Sequence, residues 1–168
     1  MVKMIELPYN LNALEPYYSK ETLDIHYNIL YKGYVNNTNK TEEKLTIARQ
    51  ENNFENIKCL ERDLSFYGSG AILHQMFFEN MGVPIPTLPS NKLIEQITRD
   101  FGSFDKFQNQ FIEAAKAVEA SRMVFTCVGS KNSKIRNFTM WKTSKSYFVG
   151  MQTFIGARYV GAFLLPSI

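Results

Sequence analysis

The sequence predicts an α+β protein that is helical first and then closes on a β-hairpin. Three observations carry this. Apolar side chains recur at helical spacing as far as residue 81. The stretch "GVPIPTLPS", residues 82–90, sets three prolines among nine residues and cannot continue a helix, so it reads as a connector between two lobes. Beyond it, "RMVFTCVGSKNSKIRNFTM", residues 122–140, offers two β-like runs about a "GSKNSK" turn.

The elements follow in order. "SKETLDIHYNILYKGYVNN", residues 19–37, reads as a helix with Ser19 as N-cap, and Leu23, His26, Tyr27, Leu30 and Tyr34 fall on one face. A second helix is expected over about 42–54. A third is expected over about 56–81, interrupted near "GSG" at 68–70, with Ile57, Leu60, Leu64, Tyr67, Ala71, His74, Phe78 and Met81 inward. "NKLIEQITRDFG" and "FDKFQNQFIEAAKAVEA" are amphipathic helices opening after Ser90 and Ser103. Helices followed by a hairpin make an α+β domain.

Composition narrows the function classes. With 168 residues and 45% hydrophobic content, the chain makes one domain or two small lobes. Its first twenty residues lack the apolar run of a signal peptide. Cys59 and Cys127 stand apart without a CxxC motif and read as two reduced thiols, which points to the cytoplasm. Residues 1–119 carry 12 basic and 16 acidic side chains, whereas residues 120–168 carry seven basic ones and no acid. Those seven are scattered, with neither a stripe nor a nucleic-acid motif, so no nucleic-acid partner is expected. A membrane-tethered module would need "SYFVGMQTFIGARYVGAFLLPSI", residues 146–168, to span a bilayer. Its length is adequate, but Gln152, Arg158 and the glycines weaken it, and a central arginine costs about 2.5–3.5 kcal/mol on insertion scales.

His26 and His74 are the only histidines, each on the apolar face of its own helix. Spacing alone leaves two readings. They are core histidines satisfied by neighbours, or the helices cross and both imidazoles meet on a metal such as iron, manganese or zinc.

Three blocks resemble the iron/manganese superoxide dismutase family. "ELPYNLNALEPYYSKETLDIHYNILYKGYVNNTN" is similar to its opening, "GSGAILHQMFFENMGVPIP" to its second histidine block, and "DFGSFDKFQNQFIEAAKAVEASRMVFTCV" to its third. The resemblance implies an N-terminal helical hairpin lobe at residues 1–83. An α/β lobe with a small antiparallel sheet follows at 84–168, its sheet and C-terminal helices incomplete after about 140. It also implies dismutation of superoxide to oxygen and peroxide at a mononuclear Mn or Fe site, an antioxidant role, and a homodimer or tetramer. His26 and His74 match the first two metal ligands, and Tyr34 matches the tyrosine beside the substrate funnel. Gly70, four residues before His74, matches manganese-type members, where iron-type members often carry glutamine. Tyr27, Leu30 and Tyr31 stand where the family often has histidine.

The family completes its metal site with a C-terminal D-x-W-E-H-A-Y-Y motif, which supplies an aspartate and a third histidine. Here there is no aspartate after Asp105 and no histidine after His74, and "ASRM", residues 120–123, replaces the family's G-S-G-W. Two imidazoles make a weak, hydrated site, so an impaired or inactive dismutase is expected, with a truncated or frame-shifted homologue as the alternative. The codons AGA TAT GTG GGA GCA TTT, which are permitted for residues 158–163, read one base later as GAT ATG TGG GAG CAT, or Asp-Met-Trp-Glu-His. Continuing that frame through the two leucines can give the closing tyrosine pair. The segment from about Trp141 is therefore expected to be out-of-frame translation.

Overall fold

In a computed structural model the chain is described at residues 1–82, 89–117, 122–128 and 134–141. The described residues fall into two compact units, the first built from residues 1–82 and the second from the remainder. The architecture is α+β, mostly helical with one small sheet.

The first unit is a pair of long helical runs. Ser19, in extended backbone, caps the first run by accepting from the Thr22 backbone N–H, as its position in the sequence predicts. Helix α1 (Lys20–Asp24) passes without a break into a π-helical segment, Ile25–Tyr31, and then into α2 (Lys32–Gln50). Two expectations are corrected here. The helix expected to begin near residue 42 is the continuation of the first one. The polar stretch "NNTNKT" does not break it because Thr38 and Thr41 are buried and return their hydroxyls to the carbonyls of Tyr34 and Asn37, both at 2.8 Å. Asn39 in the same stretch is taken up by the N-terminal strand of chain, with its amide pairing both backbone groups of Val2. The inward face also differs from helical spacing. Leu30 is 48% exposed and Tyr31 is fully buried. A π segment fits an extra residue into its turn, so the pattern read at 3.6 residues per turn slips by one.

Helix α3 (Ile57–Asn80) follows a short turn, packs against α2 and runs unbroken through Gly68 and Gly70. The interruption expected at "GSG" is absent, and Gly70 serves packing instead. A Cβ on Gly70 would lie 2.4 Å from Cδ1 of Tyr34, so only glycine lets that ring rest on the helix backbone. Ala71, Phe78 and Met81 are buried as expected, and Leu73 and Met76 are buried beside them, whereas Ile57, Leu60, Leu64, Tyr67 and His74 are partly covered. The core of this unit joins Leu14, Leu23, Tyr31, Val35, Ala71, Phe78 and Met81.

The second unit contains α4 (Asn91–Phe101), α5 (Phe104–Lys116) and an antiparallel pair, β1 (Arg122–Val128) and β2 (Ile135–Trp141). Register runs from Arg122 opposite Trp141 to Val128 opposite Ile135, which is the hairpin the sequence predicts. Its "GSKNSK" turn and the proline connector lie largely outside the described residues. Gly102 ends α4 with φ of 88°, a left-handed position that favours glycine. Ser103 caps α5 through the Lys106 backbone N–H, whereas Ser90 makes no side-chain cap on α4. Ile97, Phe107 and Ile135 form a small core, and the Asp100 carboxylate accepts from the Ile135 backbone N–H at 2.6 Å, tying α4 to β2.

Candidate metal centre

His26 stands on the π segment and His74 on α3, and their ring centroids are 4.8 Å apart at 82°. The two helical runs cross where the sequence required them to if the imidazoles were to meet. The extra residue of the π segment rotates His26 while leaving the helix continuous on both sides. Phe77 and Phe78 flank the His26 ring at 5.1 and 5.2 Å, Tyr31 stacks on His74 at 6.1 Å, and Tyr34 lies 4.9 Å from His74. The pair is thus enclosed by aromatic rings, with Tyr34 held against the Gly70 backbone on one side.

Each imidazole has one nitrogen already engaged. His74 Nδ1 lies 2.7 Å from the Gly70 carbonyl oxygen, which can only accept, so Nδ1 carries the proton there. His26 Nδ1 lies 2.7 Å from the Tyr18 hydroxyl. In both rings Nε2 is the nitrogen left for another partner. Burial, with a smaller contribution from the neighbouring His74, lowers the pKa of His26 to about 4. Burial also lowers that of His74, against an opposing pull from the Gly70 carbonyl. Burial thus keeps both imidazoles neutral, the charge state that ligation needs.

Tyr18 escaped the sequence reading. It lies in the irregular segment ahead of α1, where no periodicity marks a side chain as inward. The tyrosines at positions where histidine is common do structural work. Tyr27 donates its hydroxyl to the Ile5 carbonyl, and the Tyr31 hydroxyl accepts from the Ile5 backbone N–H at 3.2 Å.

Residues 2–82 match the family model described as iron/manganese superoxide dismutases, alpha-hairpin domain, and residues 89–156 match that of the C-terminal domain of the same enzymes. The chain belongs to the iron/manganese superoxide dismutase family. It is 44% identical over 115 residues to the superoxide dismutase [Fe] of Pyrobaculum aerophilum, covering 67% of this chain and 54% of the relative. It is 42% identical over 119 residues to the superoxide dismutase [Fe] of Methanothermobacter thermautotrophicus, covering 69% and 58%. With superoxide dismutase [Mn] 2 of Haloferax volcanii the identity is 35% over 136 residues, covering 81% and 67%. The chain thus spans little more than half the length of the first two relatives. The match to the C-terminal domain continues past Trp141 to residue 156.

The donor chemistry fits iron or manganese, the metals in these names, in part. Two imidazoles converge, each with its Nδ1 engaged by a neighbour, but no group of three or more His, Cys, Asp or Glu side chains is assembled among the described residues. No described helix is long and apolar enough to cross a membrane, and the candidate span at 146–168 lies outside the described residues.

Proposed function

We propose that this chain carries the imidazole half of a superoxide dismutase metal centre, with His26 and His74 as metal ligands, and that in its present sequence the centre is incomplete and dismutation is impaired. The observation that supports this most directly is the meeting of the only two histidines, each with Nδ1 engaged by a neighbour. A bound iron or manganese would supply a one-electron redox couple, taking an electron from one superoxide and returning it to the next. The chain's own residues orient the imidazoles, keep them neutral, and flank them with aromatic rings. Tyr34 would meet substrate and pass protons in this reading, which its packing on His74 and against the Gly70 backbone supports.

The missing carboxylate and third imidazole set the limit. First-row divalent ions are held tightly by three or four protein donors, and no aspartate follows Asp105 and no histidine follows His74. Of the two metals, manganese fits Gly70 better. A Cβ there already meets Tyr34, which leaves no room for the glutamine of iron-type members. The iron in the names of two relatives argues the other way, and metal analysis distinguishes them.

Metal content and dismutation measured on the purified chain test the reading. Substoichiometric metal and background activity are expected; near-stoichiometric iron or manganese with clear dismutation overturns it.

A second reading concerns the gene. We infer that the segment from about Trp141 is out-of-frame translation: the shifted-frame Asp-Met-Trp-Glu-His begins at codon 158, where the family carries its closing motif, although the C-terminal family match extends to residue 156. The nucleotide sequence of codons 156–166 decides this, and any codon set that fails to spell D-x-W-E-H one base on refutes it.

A further inference from the structure

We propose that Tyr18 sets the tautomer of His26, and that in the metal-free chain it holds this histidine in the form whose Nε2 is protonated and unable to ligate. The inference rests on the reading of His26 as a metal ligand given above, and it separates two residues that otherwise look equivalent.

His74 is fixed by a carbonyl. The Gly70 oxygen has no hydrogen to give, so His74 Nδ1 must be the protonated nitrogen and Nε2 keeps its lone pair. That ring is ready for a metal before one arrives. His26 faces a hydroxyl instead, 2.7 Å from Nδ1, and a hydroxyl can donate or accept. A phenol is a far stronger acid than a neutral imidazole N–H, and the unprotonated imidazole nitrogen is a far better acceptor than a phenol oxygen. The favoured bond therefore has Tyr18 O–H donating to Nδ1. A neutral imidazole has one N–H, which then sits on Nε2.

Tyr18 is a fixed partner. Its backbone N–H donates to the Leu14 carbonyl at 3.0 Å, and its ring packs edge-on against Phe77 at 6.3 Å. The hydroxyls of Tyr9, Tyr27 and Tyr31 are engaged with the backbone of Phe78 and Ile5, so none of these three competes for His26.

Ligation through Nε2 then requires a defined rearrangement. The Nε2 proton leaves to solvent, a proton from solvent enters at Nδ1, and the Tyr18 hydroxyl turns its own hydrogen away so that its oxygen accepts from Nδ1–H. The imidazole is neutral before and after, Tyr18 keeps its hydrogen, and no net proton is released. Tyr18 is a positioning residue, acting through His26. Outer partners of this kind orient a ligating histidine and choose its tautomer.

The full chain labelled with 15N-histidine tests this, because its only two histidines give two resolvable sets of ring signals in a long-range proton–nitrogen correlation spectrum. At mildly alkaline pH the metal-free chain is expected to show His74 as the Nδ1–H tautomer and His26 as Nε2–H. Adding Zn²⁺ as probe converts His26 to Nδ1–H and leaves the tautomer of His74 unchanged. Tyr18→Phe keeps the ring and removes the hydroxyl; His26 signals are expected to move to values averaged between tautomers while those of His74 stay in place. A His26 that is already Nδ1–H in the metal-free chain overturns the proposal, and so do nitrogen shifts of His26 that are unchanged in Tyr18→Phe. The metal-free spectrum of the unaltered chain decides the matter even if the variant folds poorly. Zn²⁺ that perturbs neither histidine defeats the metal reading instead, leaving the metal-free tautomers to judge Tyr18 separately.

Discussion

The two units of this chain divide the work unequally. The first brings together both histidines, Tyr34 and a shell of aromatic rings, and it buries a continuous core from Leu14 to Met81 around them. The second is held by a smaller core of Ile97, Phe107 and Ile135, and its Asp100 carboxylate is already committed to the Ile135 backbone N–H, Gln96 and Arg99. The imidazole pair assembles from side chains of the first unit alone, so the meeting of the two rings draws on no residue of the second. The carboxylate and further imidazole that the proposed centre would need are not in the sequence given, which has no aspartate after Asp105 and no histidine after His74.

That asymmetry is most sharply tested by restoring what is missing. Arg158→Asp, Tyr159→Met, Val160→Trp, Gly161→Glu and Ala162→His together, followed by the shifted-frame residues, are expected to raise iron or manganese from trace to near-stoichiometric levels. His74→Ala in that background is expected to abolish the gain. Elemental analysis after dialysis reads both, and a restored chain that still loses its metal would show that the first unit does not supply its half.

The next largest effect concerns the packing that positions Tyr34. Gly70→Ala sets a methyl 2.4 Å from the Tyr34 ring, and overpacking of this kind costs about 1–3 kcal/mol. For a chain of this size, thermal unfolding should fall by roughly 2–4 °C for each kcal/mol. Combining Gly70→Ala with Tyr34→Ala should recover part of the loss, since the clash partner is gone. A Gly70→Ala chain that melts with the parent would mean that Tyr34 moves aside freely and is not held by this glycine.

How much of this was legible in the sequence depended on whether the signal was local. Ser19 and Ser103 cap their helices as their residue types predict, whereas Ser90, predicted likewise, makes no side-chain cap. The register of the hairpin follows from its two β-like runs. His26 and His74 were visible as inward histidines, but their meeting was not, because it depends on the crossing of two helices far apart in sequence. The π segment was invisible for a physical reason: a one-residue slip leaves composition unchanged and only exchanges Leu30 for Tyr31 on the inward face. "NNTNKT" looked like a break because Thr and Asn favour turns, and only burial of Thr38 and Thr41 against the helix's own carbonyls reveals that they continue it. Tyr18 gave no periodic signal at all, since it precedes the helix.

In the second unit the corresponding test is Asp100→Asn. Burial pushes this carboxyl's pKa up, but hydrogen bonds from Ile135, Gln96 and Arg99 and the Arg99 charge outweigh that and hold it below its ordinary value. Asparagine keeps one acceptor and loses the charge, so about 1 kcal/mol of stability is expected to go, read by chemical denaturation. A neutral result would mean that the α4–β2 tie contributes little.

The smallest effect is the dependence of the metal-free chain on pH, and its sign follows from the histidines. Burial lowers His26 to about 4 from an ordinary value near 6.5, and lowers His74 in the same direction. Between those limits the unfolded chain takes up protons on its histidines while the folded chain keeps His26 neutral, so protons favour unfolding. The stability owed to this is complete above about pH 6.5 and is lost as pH falls towards about 4. The imidazoles are partly open to solvent, which screens the effect to an expected loss of no more than about 1 kcal/mol. His26→Gln should flatten the denaturation midpoint across this window, and the Asp100 variant should leave the histidine part of the slope intact. If His26→Gln leaves the slope unchanged, the pair is not held neutral by the fold, and the first unit loses the feature that suits it to a metal.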